Sequence, residues 1–215
     1  MQIELLKNHE GALILGGTHD FRAFHELIHD VNERSPLIRD REGLFLALAY
    51  DFRKAFEGRR YIRKPKSREG VESGVVGFEI LWPTLLVQCR MLRESLGFID
   101  TTKWHQVLAY SLEALIEDGL KLDFPAISTN IHRAYRALDP THPCLESKAS
   151  TRIEHWYHWS KKHRSTRFVE LLESLDPMFE SDYKYQVERG ATNLISPAEW
   201  DAIEGEGDEP GAHYH

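Results

Sequence analysis

Strand-type segments occur only before Pro83, and this uneven distribution is the feature that most limits the fold. Apolar residues at 2–7 and 12–15 flank the turn-forming sequence NHEG, which predicts one strand pair. A second pair is predicted at residues 59–64 and 75–81. From Pro83 onward, apolar residues recur mainly with helical spacing. The sequence therefore predicts an α+β fold that is predominantly α, with a small antiparallel sheet of two strand pairs packed against helices and a helical C-terminal half.

Capping and terminating residues give the approximate helix boundaries. A helix that starts near Thr18 or Asp20 is followed by a second helix, which ends where Gly58 can adopt a left-handed conformation. Pro83 suits the first turn of a third helix, and Thr101 and Thr102 can cap a fourth. Together, the predicted helices cover residues 18–31, 42–57, 83–95, 103–120, 126–138 and 148–174, with a short one after Ser196-Pro197.

These elements divide the chain into three predicted parts. Residues 1–122 are expected to form an α+β domain, and residues 123–196 a helical extension packed on it. Residues 197–215 are expected to form a short acidic helix and a flexible tail.

Composition restricts the setting of the protein. With 41% hydrophobic residues the chain can build a core, which excludes global disorder. No apolar run approaches the ~18 residues that a membrane span requires, and the start MQIELLKNHEG lacks the features of a signal peptide. The two cysteines do not suggest a disulfide framework. We therefore expect a cytoplasmic protein with reduced thiols and no membrane partner.

Positive charge is concentrated in two short segments, although the net charge of the chain is −7. Residues 53–68 contain eight Arg or Lys and one Glu, and residues 148–167 contain six and one. Basic segments in an otherwise acidic protein are typical of surfaces that bind anions. The predicted binding residues are Arg59, Arg60, Arg63 and Lys64 in the first segment, and Trp156, Trp159, Lys161, Lys162, Arg164 and Arg167 in the second.

Each basic segment has an alternative interpretation. In the second, RIEHWYHWSKKHR, aromatic rings could stack on bases while cations contact phosphates, which predicts nucleic-acid binding. Alternatively, Trp156 and Trp159 lie three residues apart and pack the helix onto the core, which leaves a solvated cationic face. In the first segment, basic side chains on a strand could instead protect an exposed sheet edge.

The sequence HELIH at residues 25–29 matches the H-E-x-x-H pattern of zinc peptidases. In that pattern two histidines one helical turn apart bind Zn²⁺, and the glutamate activates a metal-bound water. This interpretation makes His25 and His29 the metal ligands, Glu26 the catalytic base and zinc the cofactor. The alternative is an amphipathic helix with histidines beside its apolar face, in a protein with no catalytic residue and no cofactor.

The segments LALAYDFRKAFEGRR and GFEILWPTLLVQCRMLR together resemble an uncharacterised family of bacterial proteins, a domain of unknown function. The family pattern has Tyr-x-x-Arg before a Gly-Arg turn, then an aliphatic strand that ends in Trp-Pro and a helix with Leu-Arg. The matching residues are Tyr50, Arg53, Gly58, Arg59, Trp82, Pro83, Leu92 and Arg93. The resemblance covers roughly residues 1–120, although HELIH, which lies in this range, is not part of the family pattern. It implies a bacterial cytosolic origin but no established activity.

The leading expectation is a non-enzymatic binding or regulatory protein whose cationic surface engages an anionic partner, either nucleic acid or an acidic protein. The type of family suggests a component of a defence or toxin–immunity locus. The first alternative is a zinc-dependent hydrolase that uses HELIH. The second is a homo-oligomer in which the basic segments are subunit contacts.

Overall fold

The computed structural model describes residues 1–63 and 75–202, and for Arg63 it describes the backbone only. Helices make up 63% of the structure, and a small antiparallel sheet accounts for the strands, so the predicted α+β, mostly α, class is confirmed. The predicted tail beyond Ala202 and the predicted binding residue Lys64 lie outside the described residues.

The sheet has four strands in the order β1-β2-β4-β3. They are β1 (Gln2–Leu5), β2 (Gly11–Gly16), β3 (Tyr61–Arg63) and β4 (Val75–Leu81). The two predicted strand pairs form one sheet because β2 also pairs with β4, with Leu13 opposite Glu79. Every residue of β2 is buried, so the centre of the sheet lies in the core. β1 and β3 are the two edges, and a short 3-10 turn at Lys7–His9 connects β1 to β2.

Nine α-helices are found in the described parts of the chain. They are α1 (Thr18–Arg34), α2 (Leu44–Phe56), α3 (Trp82–Ser95), α4 (Lys103–Asp123), α5 (Ser128–Ala137), α6 (Leu145–His158), α7 (Lys161–Glu173), α8 (Phe179–Glu188) and α9 (Pro197–Asp201). Within residues 1–63 and 75–202, no helix combines the length and apolar character that crossing a membrane would require.

Most helix ends lie close to the positions predicted from capping and terminating residues. Gly58 follows α2 with φ +73°, a left-handed conformation that favours glycine. Thr102 caps α4, where its hydroxyl accepts a hydrogen bond from the backbone N–H of His105 (3.2 Å). Pro83 occupies the first turn of α3.

Two helix predictions were wrong in the C-terminal half. The single helix expected at residues 148–174 is two helices, because Trp159 is extended and Ser160 caps a new helix. The helix α8 was not predicted, and it contains no buried residue. A helix without a buried face lacks the apolar periodicity from which helices are recognised.

A single core joins the N-terminal and C-terminal halves. Near the sheet, the ring of Phe78 in β4 contacts Phe21 of α1 and Phe52 of α2, at centroid distances of 5.8 and 4.9 Å. The same buried cluster includes Trp156 of α6 and Phe168 of α7. The helices after residue 122 therefore pack directly on the sheet-containing part, while the predicted domain boundary at that residue stays a prediction.

Candidate anion-binding surface at the α6–α7 corner

The break between α6 and α7 brings the end of one helix to the start of the next. Trp159 has extended backbone angles (φ −69°, ψ 143°), and the side chain of Ser160 accepts a hydrogen bond from the N–H of His163 (3.3 Å). We call residues 157–163 the α6–α7 corner. It presents the carbonyl end of α6 beside the amide end of α7.

Arg164, a predicted binding residue, is buried beneath this corner, with its side chain 5% exposed. Its guanidinium donates to the carbonyls of Trp156 (3.0 Å) and Tyr157 (2.9 Å), which are among the last carbonyls of α6. It also donates to the carbonyl of Asn8 (3.1 Å) in the β1–β2 turn. These bonds donate to acceptors at the end of α6 and in the turn, and Arg164 also lies 3.4 Å from the carboxylate of Glu10. The guanidinium is thus engaged within the chain, while the binding of an external anion by Arg164 stays a prediction.

Trp156, a predicted stacking residue, is completely buried. Its indole Nε1–H donates to the carbonyl of Glu10 (2.7 Å), and its ring lies 4.4 Å from that of Phe168. A base could not reach this ring without displacing the core. This position agrees with the alternative interpretation, in which Trp156 packs α6 onto the rest of the molecule.

Trp159 has an intermediate position. Its ring is partly buried against Trp156 and Trp200, at centroid distances of 6.2 and 5.7 Å. Trp200 itself is fully buried and anchors α9 on α6. Trp159 therefore holds the corner in place, and only part of its ring is available to a partner.

The accessible groups of the corner are an aromatic ring and a set of cations. Tyr157 is 65% exposed, and Lys161, Lys162 and His163 are all exposed. Within the described residues, neither lysine has an ion-pair partner. Both lie in the first turn of α7, and that turn contains no acidic residue. Unpaired cations at the positive end of a helix dipole create a strongly positive local potential.

Tyr157 was not among the predicted binding residues, although a sequence signal was present. If Trp156 and Trp159 are turned toward the core, the two residues between them in sequence, Tyr157 and His158, lie about 100° and 200° around the helix axis from Trp156 and point away from the core. This inference requires knowing that both tryptophans are turned inward.

The turn between β1 and β2 adjoins the corner and contains an unusual backbone. Asn8 and His9 have φ values of +58° and +59°, which residues other than glycine seldom adopt. His9 is held by a hydrogen bond between its Nδ1 and Asp123 (2.7 Å), whose other oxygen accepts from the indole of Trp82 (2.8 Å). Arg164 also donates to the carbonyl of Asn8, which links this turn to α7.

Two of the predicted binding residues in the first basic segment have carboxylate partners. Arg59 lies 3.4 Å from Glu57, and Arg60 lies 2.9 Å from Asp51. Burial raises the pKa of Asp51, and the neighbouring Arg60 acts in the opposite direction. Only the backbone of Arg63 is described, in edge strand β3. Among the described residues of this segment, Arg59 and Arg60 therefore already have carboxylate partners, and residues 61–63 lie at one edge of the sheet.

Arg167, the last predicted residue of the second segment, is also paired. Its guanidinium donates to Glu170 (2.6 Å) and to the carbonyl of Asn193 (3.0 Å). Of the predicted binding residues that the structure describes, Lys161 and Lys162 are thus the cations that remain exposed and unpaired.

The HELIH histidines lie side by side on α1, with ring centroids 4.5 Å apart. His25 packs edge-on against Phe56, and burial, followed by the charge of His29, lowers its pKa. Glu26 is exposed. A catalytic zinc needs a third protein ligand, and among residues 1–63 and 75–202 no three His, Cys, Asp or Glu side chains are placed to hold a metal. The described residues therefore do not complete a zinc centre around HELIH.

A separate surface carries exposed apolar side chains. Trp104, Val107 and Tyr110 of α4 are 56%, 51% and 62% exposed, and Phe98 before this helix is 53% exposed. Contiguous exposed apolar groups are typical of contact surfaces. Periodicity did not single them out, because apolar residues on a helix are first assigned to its buried face.

The fold and the corner together define a mostly helical α+β protein with a cationic corner where α6 meets α7. A family model for a domain of unknown function (DUF6904) matches residues 1–191, and the chain belongs to this family. The expected membership of an uncharacterised family is confirmed, and the match extends beyond the predicted residues 1–120. No curated protein and no solved structure matches the chain.

Proposed function

We propose that this protein is a non-enzymatic binding or regulatory protein that engages an anionic partner through the α6–α7 corner. The observation that carries the proposal is the pair Lys161 and Lys162 at the start of α7, which are exposed and have no ion-pair partner among residues 1–63 and 75–202. The chain as a whole has a net charge of −7, so attraction of an anion depends on a local concentration of positive charge.

The charge pattern of α7 supports this proposal energetically. Its first turn contains Lys161, Lys162 and His163, whereas its last turn contains Glu170 and Glu173 and no basic residue. Helix dipoles favour the opposite pattern, and each misplaced exposed charge costs about 0.3–1 kcal/mol. An anionic partner at the first turn would offset that cost, and it could also use the backbone N–H groups at the helix start.

Tyr157 favours nucleic acid as the partner. Its ring is exposed next to the cations, and base stacking on an exposed aromatic ring contributes about 1–3 kcal/mol per base. An acidic protein is the other partner class, since carboxylates also bind exposed lysines. The proposal includes a bacterial cytoplasmic setting, as the family resemblance implies, and a place in a defence or toxin–immunity locus.

Fluorescence anisotropy with a labelled single-stranded DNA, measured at several salt concentrations, tests the proposal. Binding should weaken steeply with salt, because contacts with phosphates release counterions. Lys161→Ala with Lys162→Ala should flatten the salt dependence by about 1.4 units, from about 0.7 per lost single-strand phosphate contact. A matched control is Lys121→Ala with Lys184→Ala, which removes two lysines already paired with acidic residues.

Tyr157→Ala should weaken binding by about 1–3 kcal/mol without changing the salt slope. If DNA and RNA fail to bind at low salt while a polyglutamate peptide binds and requires both lysines, the acidic-protein form of the proposal stands. If the partner is an acidic surface of a second copy, the double lysine variant should alter the oligomeric state in sedimentation. Absence of all three effects in folded protein would overturn the proposal.

A further inference from the structure

The opposite end of α7 borders a cleft of about 360 Å³ between α5, α7 and α8. Its floor is apolar and is formed by the buried side chains of Ala134, Leu138 and Leu172, with partly buried Phe179 at one side. The volume lies within the range of about 300–1,000 Å³ that is common for small-molecule sites. The cleft is separate from the α6–α7 corner, because α7 has 13 residues and rises about 1.5 Å per residue.

Three carboxylates surround this floor: Glu173 of α7, Asp176 in the following turn, and Asp182 of α8. In the described parts of the chain, none of them lies within ion-pair distance of a basic side chain. Asp176 accepts a hydrogen bond from the backbone N–H of Met178 (2.7 Å). Arg133 also lines the cleft, where its guanidinium donates weakly to Asn130 (3.4 Å). The lining thus combines an apolar floor with an excess of negative charge.

Glu173 and Asp182 are exposed and Asp176 is half-buried, so Glu173 is only partly shielded from water. Desolvation raises the pKa of Glu173, and the positive charge of Arg133 only partly opposes that effect. Glu173 also lies at the negative end of the α7 dipole, where a second acidic charge is unfavourable. A cation bound in the cleft would relieve both costs.

We propose that this cleft binds an organic cation, specifically a primary ammonium group carried on a short hydrocarbon chain. The hydrocarbon would cover the floor at Leu138 and Leu172, and the ammonium would lie among the carboxylates. Charge complementarity excludes an anion of similar size. A hydrated metal ion would gain nothing from the apolar floor, and within the described residues no three acidic or histidine side chains are grouped to hold one.

The same chemistry can come from two sources, a free aliphatic amine or a lysine side chain of a partner protein. Titration with n-pentylamine, followed by NMR shifts of the amides of α5 and α7, tests the site itself. Pentan-1-ol and pentanoate have the same hydrocarbon chain with a neutral and a negative head group, and they serve as matched probes. A peptide with one central lysine, compared with its norleucine counterpart, tests the second source.

We expect n-pentylamine to bind with a dissociation constant of about 1–30 mM, as suits a ligand of so few atoms. Pentan-1-ol should bind at least about threefold more weakly, and pentanoate should not bind measurably. Glu173→Gln with Asp182→Asn should weaken amine binding by about tenfold, whereas the control Glu188→Gln, on α8 but outside the cleft, should not.

A steric variant keeps the test independent of charge. Ala137 is an exposed residue on the wall of the cleft, so Ala137→Phe should fill the space while the protein remains folded. It should abolish the amine-induced shifts. Equal binding of all three probes, unchanged binding in the double carboxylate variant, or no shifts in folded protein up to about 100 mM amine would each overturn the proposal.

Discussion

Arg164 is the residue whose substitution best separates a structural cation from a ligand-binding one. Its side chain is 5% exposed, and its guanidinium donates to the carbonyls of Asn8, Trp156 and Tyr157 at 2.9–3.1 Å. Arg164→Met keeps most of the side-chain volume but removes all of these donors. The buried carbonyl of Trp156 would keep only the 3.3 Å bond from the N–H of Trp159, and the partly buried carbonyl groups of Asn8 and Tyr157 would lose this donor.

The magnitude follows from the number and the burial of these bonds. A hydrogen bond from a charged donor contributes about 1.5–3 kcal/mol, and the bonds share one guanidinium, so they are not additive. Removing a desolvated charge also recovers part of its burial cost. We therefore expect Arg164→Met to lower the free energy of unfolding by about 3–5 kcal/mol. For a chain of this length that corresponds to a fall in Tm of about 10 °C.

Urea denaturation followed by circular dichroism, with Lys162→Met as the matched control, checks this prediction. The control removes a cation that is exposed and has no ion-pair partner in the described part of the chain, and it should change the free energy of unfolding by less than about 0.5 kcal/mol. The m-value should be unchanged in both variants if the folded and unfolded states keep their exposed areas. An Arg164→Met protein of normal stability that had lost binding to an anionic partner would refute this reasoning and return Arg164 to the binding surface.

Two further predictions concern titratable groups. Burial raises the pKa of Cys89 to about 12, whereas Cys144 is exposed, so iodoacetamide at mildly alkaline pH should add one group per native chain, on Cys144, by mass spectrometry. Two adducts on native protein would contradict the buried, hydrogen-bonded position of Cys89. Burial and the charge of His29 lower the pKa of His25 below its value in the unfolded chain, so the unfolded state binds more protons. The contribution of neutral His25 to the free energy of unfolding is therefore fully present above pH ~6.5 and decreases as the pH falls below that value. His25→Gln should reduce the fall in Tm on acidification. One equivalent of zinc in the unmodified protein that is absent from this variant would instead support the hydrolase alternative.

The sequence alone determined the features that depend on neighbouring residues. Local backbone preferences and side-chain spacing set the order of the strands and of helices α1 to α5. They also set the first-turn position of Pro83, the left-handed Gly58 and the cap at Thr102. Those signals were sufficient for the fold class. They also placed a basic, aromatic-rich segment correctly in the helical C-terminal half.

The tertiary structure decided which groups of that segment are available. Trp156 is buried, and its indole donates to the carbonyl of Glu10, 146 residues away. Arg164 is also buried, and its guanidinium donates to the carbonyl of Asn8, 156 residues away. Partners at such separations leave no mark on local periodicity. The same holds for the cleft beside Glu173, which exists only where α5, α7 and α8 meet. Local sequence specifies the elements, whereas exposure and charge pairing arise only when distant elements pack together.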